Sequence, residues 1–200
     1  MPAPDRSSHA RHAHTRADAA SASSALPRDA AALARALTLP DGATLRLRAI
    51  CPDDAPRLQA FHERLSPQAI CFRFFGVMPE LTSEFAERLS QVDYAERMAV
   101  VATPSTDANA PIIAVARYER TARTEAEFAL VVEDGWQGRG IGPRLLWALA
   151  EYARHHEITT FIAEVMYTNE RMLALLRHAR FPVTMRMREG RVVARLDITD

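Results

Sequence analysis

The stretch "VVEDGWQGRGIGPRLLWALAEYARHH", residues 131–156, changes from strand to helix at a run of alternate glycines. Two valines end an apolar segment, an acidic turn follows, and Gly138, Gly140 and Gly142 precede a long segment of helical periodicity. Glycine lets a ligand lie against bare backbone N–H groups, and the N-terminal end of a helix attracts anions. The stretch therefore predicts an anion-binding turn that opens a helix over about 142–155.

Two familiar phosphate-binding motifs do not fit these glycines. A P-loop requires Gly-Lys-Ser/Thr, but all 25 basic residues of this chain are arginine. A Rossmann fingerprint requires G-x-G-x-x-G in a parallel βαβ unit, whereas G-x-G-x-G here follows strands that read as antiparallel. Arg139 and Arg144 favour an anion site, because guanidinium groups form charge-assisted bonds with phosphate oxygens. A glycine-rich connector without a ligand is the remaining alternative.

Composition limits the class of protein. With 200 residues, of which 48% are hydrophobic, the chain is long enough for one domain with a sizeable core. The 25 basic residues balance 25 acidic ones, so no overall basic field favours nucleic acid or an anionic membrane. No apolar run approaches the roughly 18 residues of a spanning helix. Two cysteines, Cys51 and Cys71, and no secretory signal predict a cytoplasmic protein with free thiols, and no metal-ligand spacing is visible.

The pattern along the chain predicts a tail followed by one domain. Residues 1–40 lack large buriable side chains over most of their length and are predicted to be disordered or weakly helical. Residues 41–200 show elements in the order β, α, α, β, β, β, α, β, α, β, β. Short connections between the second, third and fourth strands predict an antiparallel meander. The expected fold class is α/β (α+β), a mixed and mainly antiparallel twisted sheet of about seven strands with about four helices.

The segment "FALVVEDGWQGRGIG" resembles the acetyl-CoA motif of the Gcn5-related N-acetyltransferases, the GNAT family. That motif, Gln/Arg-x-x-Gly-x-Gly/Ala after a strand, is matched by Gln137, Gly140 and Gly142. The resemblance covers about residues 44–198, and the order of elements agrees with the GNAT fold. The stretches "RLSPQAICFRFFG" and "LSQVDYAERMAVVA" further resemble the acetyltransferase domain of bacterial protein-lysine acetyltransferases that modify acyl-CoA synthetases.

The resemblance implies acetyl-CoA as co-substrate and no metal. The pyrophosphate is expected on the backbone amides of the glycine turn, and the pantetheine arm is expected to pair like an extra strand where two parallel strands splay apart. Asn169 is expected to approach that arm and also suits the N-cap of the next helix. The implied cofactor-binding residues are Leu130, Val131, Val132, Gln137, Gly138, Arg139, Gly140, Ile141, Gly142 and Asn169.

Acyl transfer to an amine favours a general base. Deprotonating a lysine of ordinary pKa, ~10.4, costs about 4–5 kcal/mol at pH 7. Strand alternation places Glu125 and Glu127 on one face of "TEAEFALVV", and partial burial of Glu127 is expected to strengthen it as a base. Glu127 also matches the family's catalytic glutamate, with Glu125 as the second candidate. The backbone N–H of Val131 or Val132 is expected to stabilise the oxyanion.

Two positions depart from the family pattern. Many relatives carry a tyrosine seven residues after the asparagine, where this chain has Leu176, and their Leu-Gly-Phe is Ala179-Arg180-Phe181 here. A thiol of pKa about 8.5 is a tolerable leaving group without a dedicated acid, so activity does not depend on that tyrosine.

The acceptor is not fixed by the sequence. A protein lysine, such as one on an acyl-CoA synthetase, is favoured. A small amine or antibiotic and a non-catalytic acyl-CoA sensor remain as alternatives, and the oligomeric state is open. The absence of lysine has two explanations: codon bias, or protection of the enzyme from its own activity.

Overall fold

The computed structural model describes residues 26–105, 107 and 109–199. In this part of the chain one sheet of eight strands is flanked by six α-helices and two short 3-10 helices, Pro52–Asp54 and Asp134–Trp136. The strands are β1 (Arg35–Thr38), β2 (Thr44–Ala49), β3 (Arg97–Thr103), β4 (Ala114–Ala122), β5 (Glu125–Val132), β6 (Thr160–Met166), β7 (Val183–Arg188) and β8 (Arg191–Asp197). The helices are α1 (Arg28–Ala32), α2 (Ala55–Glu63), α3 (Pro67–Phe74), α4 (Ser83–Ser90), α5 (Ile141–His155) and α6 (Glu170–Arg177).

The strands lie in the order β1-β2-β3-β4-β5-β6-β8-β7. Every neighbouring pair is antiparallel except β5 and β6, which are parallel and joined through α5. The predicted mixed, mainly antiparallel sheet and the β3-β4-β5 meander are therefore confirmed. The single parallel pair lies in the middle of the sheet, directly after the glycine stretch.

Each face of the sheet carries its own apolar core. On one face α5 presents Ile141, Leu145 and Leu149, spaced four residues apart and almost fully buried. On the other face α2, α3 and α4 bury side chains such as Leu58 and Phe61. The central strands serve both cores, because their side chains alternate between the two faces, and β3 is accordingly buried along nearly its whole length.

Polar side chains cap the N-termini of α3 and α4. The hydroxyl of Ser66 accepts a hydrogen bond from the N–H of Ala69 at 3.1 Å, at the start of α3. Thr82 caps α4 in the same way, through the N–H of Phe85 at 3.3 Å. The second of the two helices predicted between the first two strands is therefore two helices, α3 and α4, because Phe75 adopts a left-handed φ of 57° and ends α3.

The fold begins earlier in the chain than predicted. Strand β1 pairs with β2, and Ala30, Leu33 and Leu39 are buried in the α5 core. Most of the predicted tail, residues 1–25, lies outside the described residues, whereas residues 28–39 belong to the sheet and its core. The sequence did not reveal β1 because only one of its four residues is even partly buried, so it lacks strand alternation. None of the helices in the described residues is long and apolar enough to cross a membrane.

Candidate active site

A gap opens between the two parallel strands of the sheet. β5 and β6 are paired over three rungs only, and the last joins Glu127 to Ile162. β5 continues to Val132, and β6 continues to Met166 while pairing with β8 on its other side. The two strands therefore part after Glu127, which is the splayed geometry expected from the sequence.

The direction of the β5 backbone groups follows from its pairing with β4. The N–H of Glu133 donates to the carbonyl of Ile113 at 2.9 Å, so by strand alternation the N–H of Val131 also faces β4. The backbone groups of Leu130 and Val132 point the other way, into the gap. The carbonyl of Val132 accepts a hydrogen bond at 2.9 Å from the side chain of Gln137, in line with this direction.

This geometry distinguishes the two candidate oxyanion donors, the backbone N–H groups of Val131 and Val132. The backbone N–H of Val132 faces the gap, whereas that of Val131 is directed at β4. The side chain of Val131 instead packs on the core of α2, α3 and α4, while that of Leu130 packs on the α5 core. Val131 is thus placed to contact a ligand through its side chain rather than through its amide.

The glycine turn leads into the N-terminus of α5. Gly138 and Gly140 have left-handed φ angles of 76° and 79°, which strain residues with a Cβ. Gly140 is the N-cap of α5, and no side chain caps this end of the helix. Its first-turn N–H groups are therefore left for a ligand, and the helix dipole favours an anion there. These features fit the pyrophosphate of coenzyme A.

Gly142 also has a packing role that the sequence did not predict. A Cβ at this position would lie 2.7 Å from Cδ1 of Leu175 and 3.6 Å from Cδ2 of Leu130. The absence of a side chain therefore lets the first turn of α5 approach α6 closely. Ile141, between the two glycines, is buried in the core and anchors the turn.

The two arginines at the glycine turn, Arg139 and Arg144, already form contacts within the protein. Arg139 forms an ion pair with Asp41 at 2.6 Å and lies over the ring of Trp136, 4.4 Å from its centroid. The Nη1 atom of Arg144 donates to the carbonyl of Gly140 at 2.9 Å. Arg139 therefore shares its charge with a carboxylate, and Arg144 remains at the helix end.

Arg171 is a further basic residue at the turn that sequence analysis missed. This exposed α6 residue donates to Oε1 of Gln137 and so links α6 to the end of β5. The sequence could have pointed to Arg171, because it lies two residues after Asn169, which was expected to approach the cofactor. Asn169 itself caps α6, accepting a hydrogen bond from the N–H of Met172 at 3.1 Å, as its N-cap interpretation predicts.

The two candidate bases have different surroundings. Glu127 is exposed, contrary to the expected partial burial, because its side chain leaves the sheet on the side opposite the buried Ala126 and Phe128. Glu125 forms an ion pair with Arg195, and the hydrogen bond from that guanidinium lowers the pKa of the carboxyl. This ion pair disfavours Glu125 as a proton acceptor.

Arg73 connects α3 electrostatically with the base. Its removal from water lowers the pKa of the guanidinium, while the negative charge of Glu127 acts in the opposite direction. The carboxylate of Glu127 thus lies in the field of a partly buried cation. This places the end of α3 beside the mouth of the gap.

The position that carries tyrosine in many relatives is part of the core. Leu176 is fully buried. Tyr167 and His178 are the other side chains that could protonate the leaving thiolate. Tyr167 is 62% exposed, and a ring nitrogen of His178 lies 2.8 Å from the carbonyl of Ala174 at the end of α6 farthest from Asn169. Neither side chain occupies the place in the core that Leu176 fills. Among the described residues no cluster of three or more His, Cys, Asp or Glu side chains could hold a metal ion.

The fold agrees with the comparison to known families. The model of the "Acetyltransferase (GNAT) family" matches residues 70–180. The chain therefore belongs to the GNAT family of acetyltransferases. The solved GNAT domain of S. lividans PAT is 32% identical with a TM-score of 0.76, and the match covers 84% of this chain and 98% of that one.

Two curated relatives are similar over part of their length. An acetyltransferase of Pseudomonas aeruginosa is 30% identical over 120 residues, 60% of this chain and 64% of the relative. The acetyltransferase Pat of Mycolicibacterium smegmatis is 35% identical over 132 residues, 65% of this chain and 39% of the relative. The chain thus spans less than two thirds of the length of either curated relative.

Proposed function

We propose that this chain is an N-acetyltransferase that transfers the acetyl group of acetyl-CoA to a primary amine in a ternary complex. The observation that carries the proposal is the gap beyond Glu127 and Ile162, which lies next to the uncapped N-terminus of α5. The pantetheine arm would pair with the gap-facing backbone of β5, and the pyrophosphate would bind the amides of residues 137–142. Asn169 and Arg171 lie at the neighbouring end of α6.

The residues around the gap suit direct attack. The neutral amine attacks the thioester carbonyl, the new C–N bond forms, and the C–S bond breaks to release the coenzyme A thiolate. Glu127 accepts the proton of the attacking amine, directly or through water, and the N–H of Val132 stabilises the oxyanion. No side chain is assigned to protonate the thiolate, since its ordinary pKa of about 8.5 makes it an adequate leaving group.

A protein lysine is the favoured acceptor, with an acyl-CoA synthetase as one candidate partner. Support comes from the resemblance to bacterial protein-lysine acetyltransferases and from the open position of Glu127, which leaves room for a bulky acceptor. A polyamine or aminoglycoside would favour an acidic acceptor pocket, whereas Arg73 and Arg117 line the pocket on this face. The free thiols of Cys51 and Cys71 suit a reducing compartment such as the cytoplasm.

The test is turnover with purified protein. Free thiol release from acetyl-CoA is followed with a panel of acyl-CoA synthetases, lysine peptides and small amines, for the unchanged chain and for Glu127→Gln. We expect turnover on a protein or peptide lysine and its loss in the variant. Calorimetry with coenzyme A runs in parallel. Binding without turnover on any acceptor would support the acyl-CoA sensor instead, and absence of binding would refute both.

A further inference from the structure

A small apolar pocket lies beside the gap, on the side of the sheet covered by α2, α3 and α4. Its volume is about 40 Å³, enough for a group of a few heavy atoms. Its walls include Phe61, Phe74 and Val131, and three polar side chains also line it, His62, Arg73 and Arg117. We call this the arginine pocket.

The two arginines of this pocket form no ion pair with another described residue. Within the described residues, neither guanidinium has a carboxylate within 4 Å. Arg117 donates to the carbonyl of Leu89 at 3.2 Å, and Arg73 lies over the ring of Phe74, 4.9 Å from its centroid. These contacts use few of the five N–H donors of each guanidinium.

The surroundings disfavour this unpaired charge. Burial, together with the nearby positive charge of Arg73, lowers the pKa of Arg117 to about 10. The Nε2 atom of His62, a residue only 3% exposed, has no hydrogen-bond partner among the described residues. Buried cations and buried polar atoms are costly unless paired. The pocket therefore has the charge and the free donors to bind a small anion.

The pocket is adjacent to the reaction centre. Val131, one of its walls, lies between Leu130 and Val132, whose backbone groups face the gap. Glu127 projects on the same side of β5 as Val131, and its charge acts on Arg73. A substituent on the thioester carbon that extended from the gap on this side of β5 would therefore meet the wall of the pocket at Val131.

We propose that the arginine pocket binds a carboxylate at the far end of a longer acyl group, so that the chain transfers dicarboxylic acyl groups such as succinyl in addition to acetyl. The proposal rests on the acyltransferase function proposed above and names its donor class. The amine attacks the thioester carbonyl, the C–N bond forms, the C–S bond breaks, and the proton passes to Glu127. The distal carboxylate takes no part in the bond changes and is held by Arg73 and Arg117.

The test compares succinyl-CoA with butyryl-CoA, whose acyl chain has the same number of carbons and no charge. Free thiol release is measured with a lysine peptide that contains no carboxylate. We expect kcat/KM for succinyl-CoA to exceed that for butyryl-CoA by at least tenfold. Arg117→Met should lower this ratio at least tenfold, whereas Arg123→Met, at an exposed turn between β4 and β5, should leave it unchanged. Arg73→Met provides a second variant if Arg117→Met fails to fold.

Equal kcat/KM for the two donors would overturn the proposal, as would a ratio that both pocket variants leave intact. A carboxylate could also come from the acceptor, so acetyl-CoA is tested with peptides that differ only in one carboxylate near the lysine. If a carboxylate raises kcat/KM only when it lies on the peptide, the pocket binds the acceptor and the assignment to the acyl donor is overturned. If no donor is turned over, the acyltransferase function fails separately, and calorimetric affinities for succinyl-CoA and butyryl-CoA still decide whether the pocket binds the carboxylate.

Discussion

Glu127 pairs with Ile162 in the last rung of the parallel ladder between β5 and β6. The candidate base therefore lies at the point where the sheet opens, and the backbone groups of Leu130 and Val132 line the gap immediately beyond it. A single register places the candidate base, the candidate oxyanion donor and the proposed channel for the pantetheine arm on one strand. Replacing the exposed Glu127 should consequently affect chemistry more than stability.

Replacing Glu127 with glutamine should impair chemistry while the fold persists. The exposed side chain makes few stabilising contacts, so the melting temperature should change little. Loss of a general base typically costs about 10²–10⁴-fold in rate. We expect a fall of that size in kcat at pH 7, measured by free thiol release, and a rate that recovers as the pH is raised and more amine is neutral.

Glu125→Gln is the matched control for this prediction. Glu125 is paired with Arg195, and its lowered pKa makes it a poor proton acceptor. Its replacement should change kcat less than threefold. A larger loss of kcat in Glu125→Gln than in Glu127→Gln would indicate that Glu125, and not Glu127, is the base.

Gly140→Ala should weaken the binding of coenzyme A. The left-handed φ of 79° costs a residue with a Cβ about 1–2 kcal/mol, and the added Cβ would lie 2.6 Å from Nη1 of Arg144. The turn must therefore shift where it exposes its amides. We expect the calorimetric Kd for coenzyme A to rise at least tenfold.

The hairpin glycine Gly190 offers a control with the same backbone strain. Its φ is 76°, and a Cβ there would meet no atom within 4 Å. Gly190→Ala should lower the melting temperature by a similar amount and leave the Kd for coenzyme A unchanged. A comparable loss of affinity in both variants would mean that general destabilisation, and not the turn, is responsible.

Periodic segments were the predictable part of this molecule. Helix α5 and the β3-β4-β5 meander each bury a repeating set of apolar residues, so their sequences carry the pattern. The exposed strand β1 carries no such pattern and is held by its pairing with β2. Glu127 was predicted at the site, but its exposure depends on which helices cover that face.

The arginine pocket could not be predicted from the sequence. His62, Arg73 and Arg117 come from α2, α3 and β4, and only the packing of these elements brings them together. Taken alone, each of the three residues is predicted only to be a polar position on an amphipathic helix or strand. Arg171 was missed for a related reason, since its contact with Gln137 joins α6 to a turn 34 residues earlier.

A lysine placed on the surface should become acetylated by the enzyme itself. The chain contains no lysine, and either codon bias or avoidance of self-modification explains this. Arg188 at the β7-β8 hairpin is highly exposed, with 78% of its side chain accessible, so Arg188→Lys should not disturb the fold. Incubation with acetyl-CoA and mass spectrometry should show a 42 Da addition, about one acetyl group, at this residue. An unmodified lysine in a variant that still acetylates its acceptor would leave codon bias as the explanation.

Asp54→Asn should destabilise the fold strongly and in a pH-dependent way. The buried carboxylate accepts hydrogen bonds from Arg48 at 2.6 and 2.7 Å and from Arg57 at 3.0 Å. Burial acts to raise the pKa of Asp54, but these bonds outweigh it, so its pKa in the fold is lowered. A depressed folded pKa gives stability that is present above the unfolded value, ~3.9, and is lost as the pH falls towards the folded value.

Urea unfolding measures this effect directly. At pH 7 the variant should lose ~3–5 kcal/mol, because two arginines are left without their carboxylate. The difference from the unchanged chain should shrink by about 1.4 kcal/mol for each pH unit below ~4, since the carboxyl is then protonated during unfolding. Asp41→Asn, at an exposed ion pair with Arg139, should leave the free energy of unfolding nearly unchanged. A deficit for Asp54→Asn that is equally large at pH 7 and pH 3 would show that packing, and not the charge of the carboxylate, holds β2 to α2.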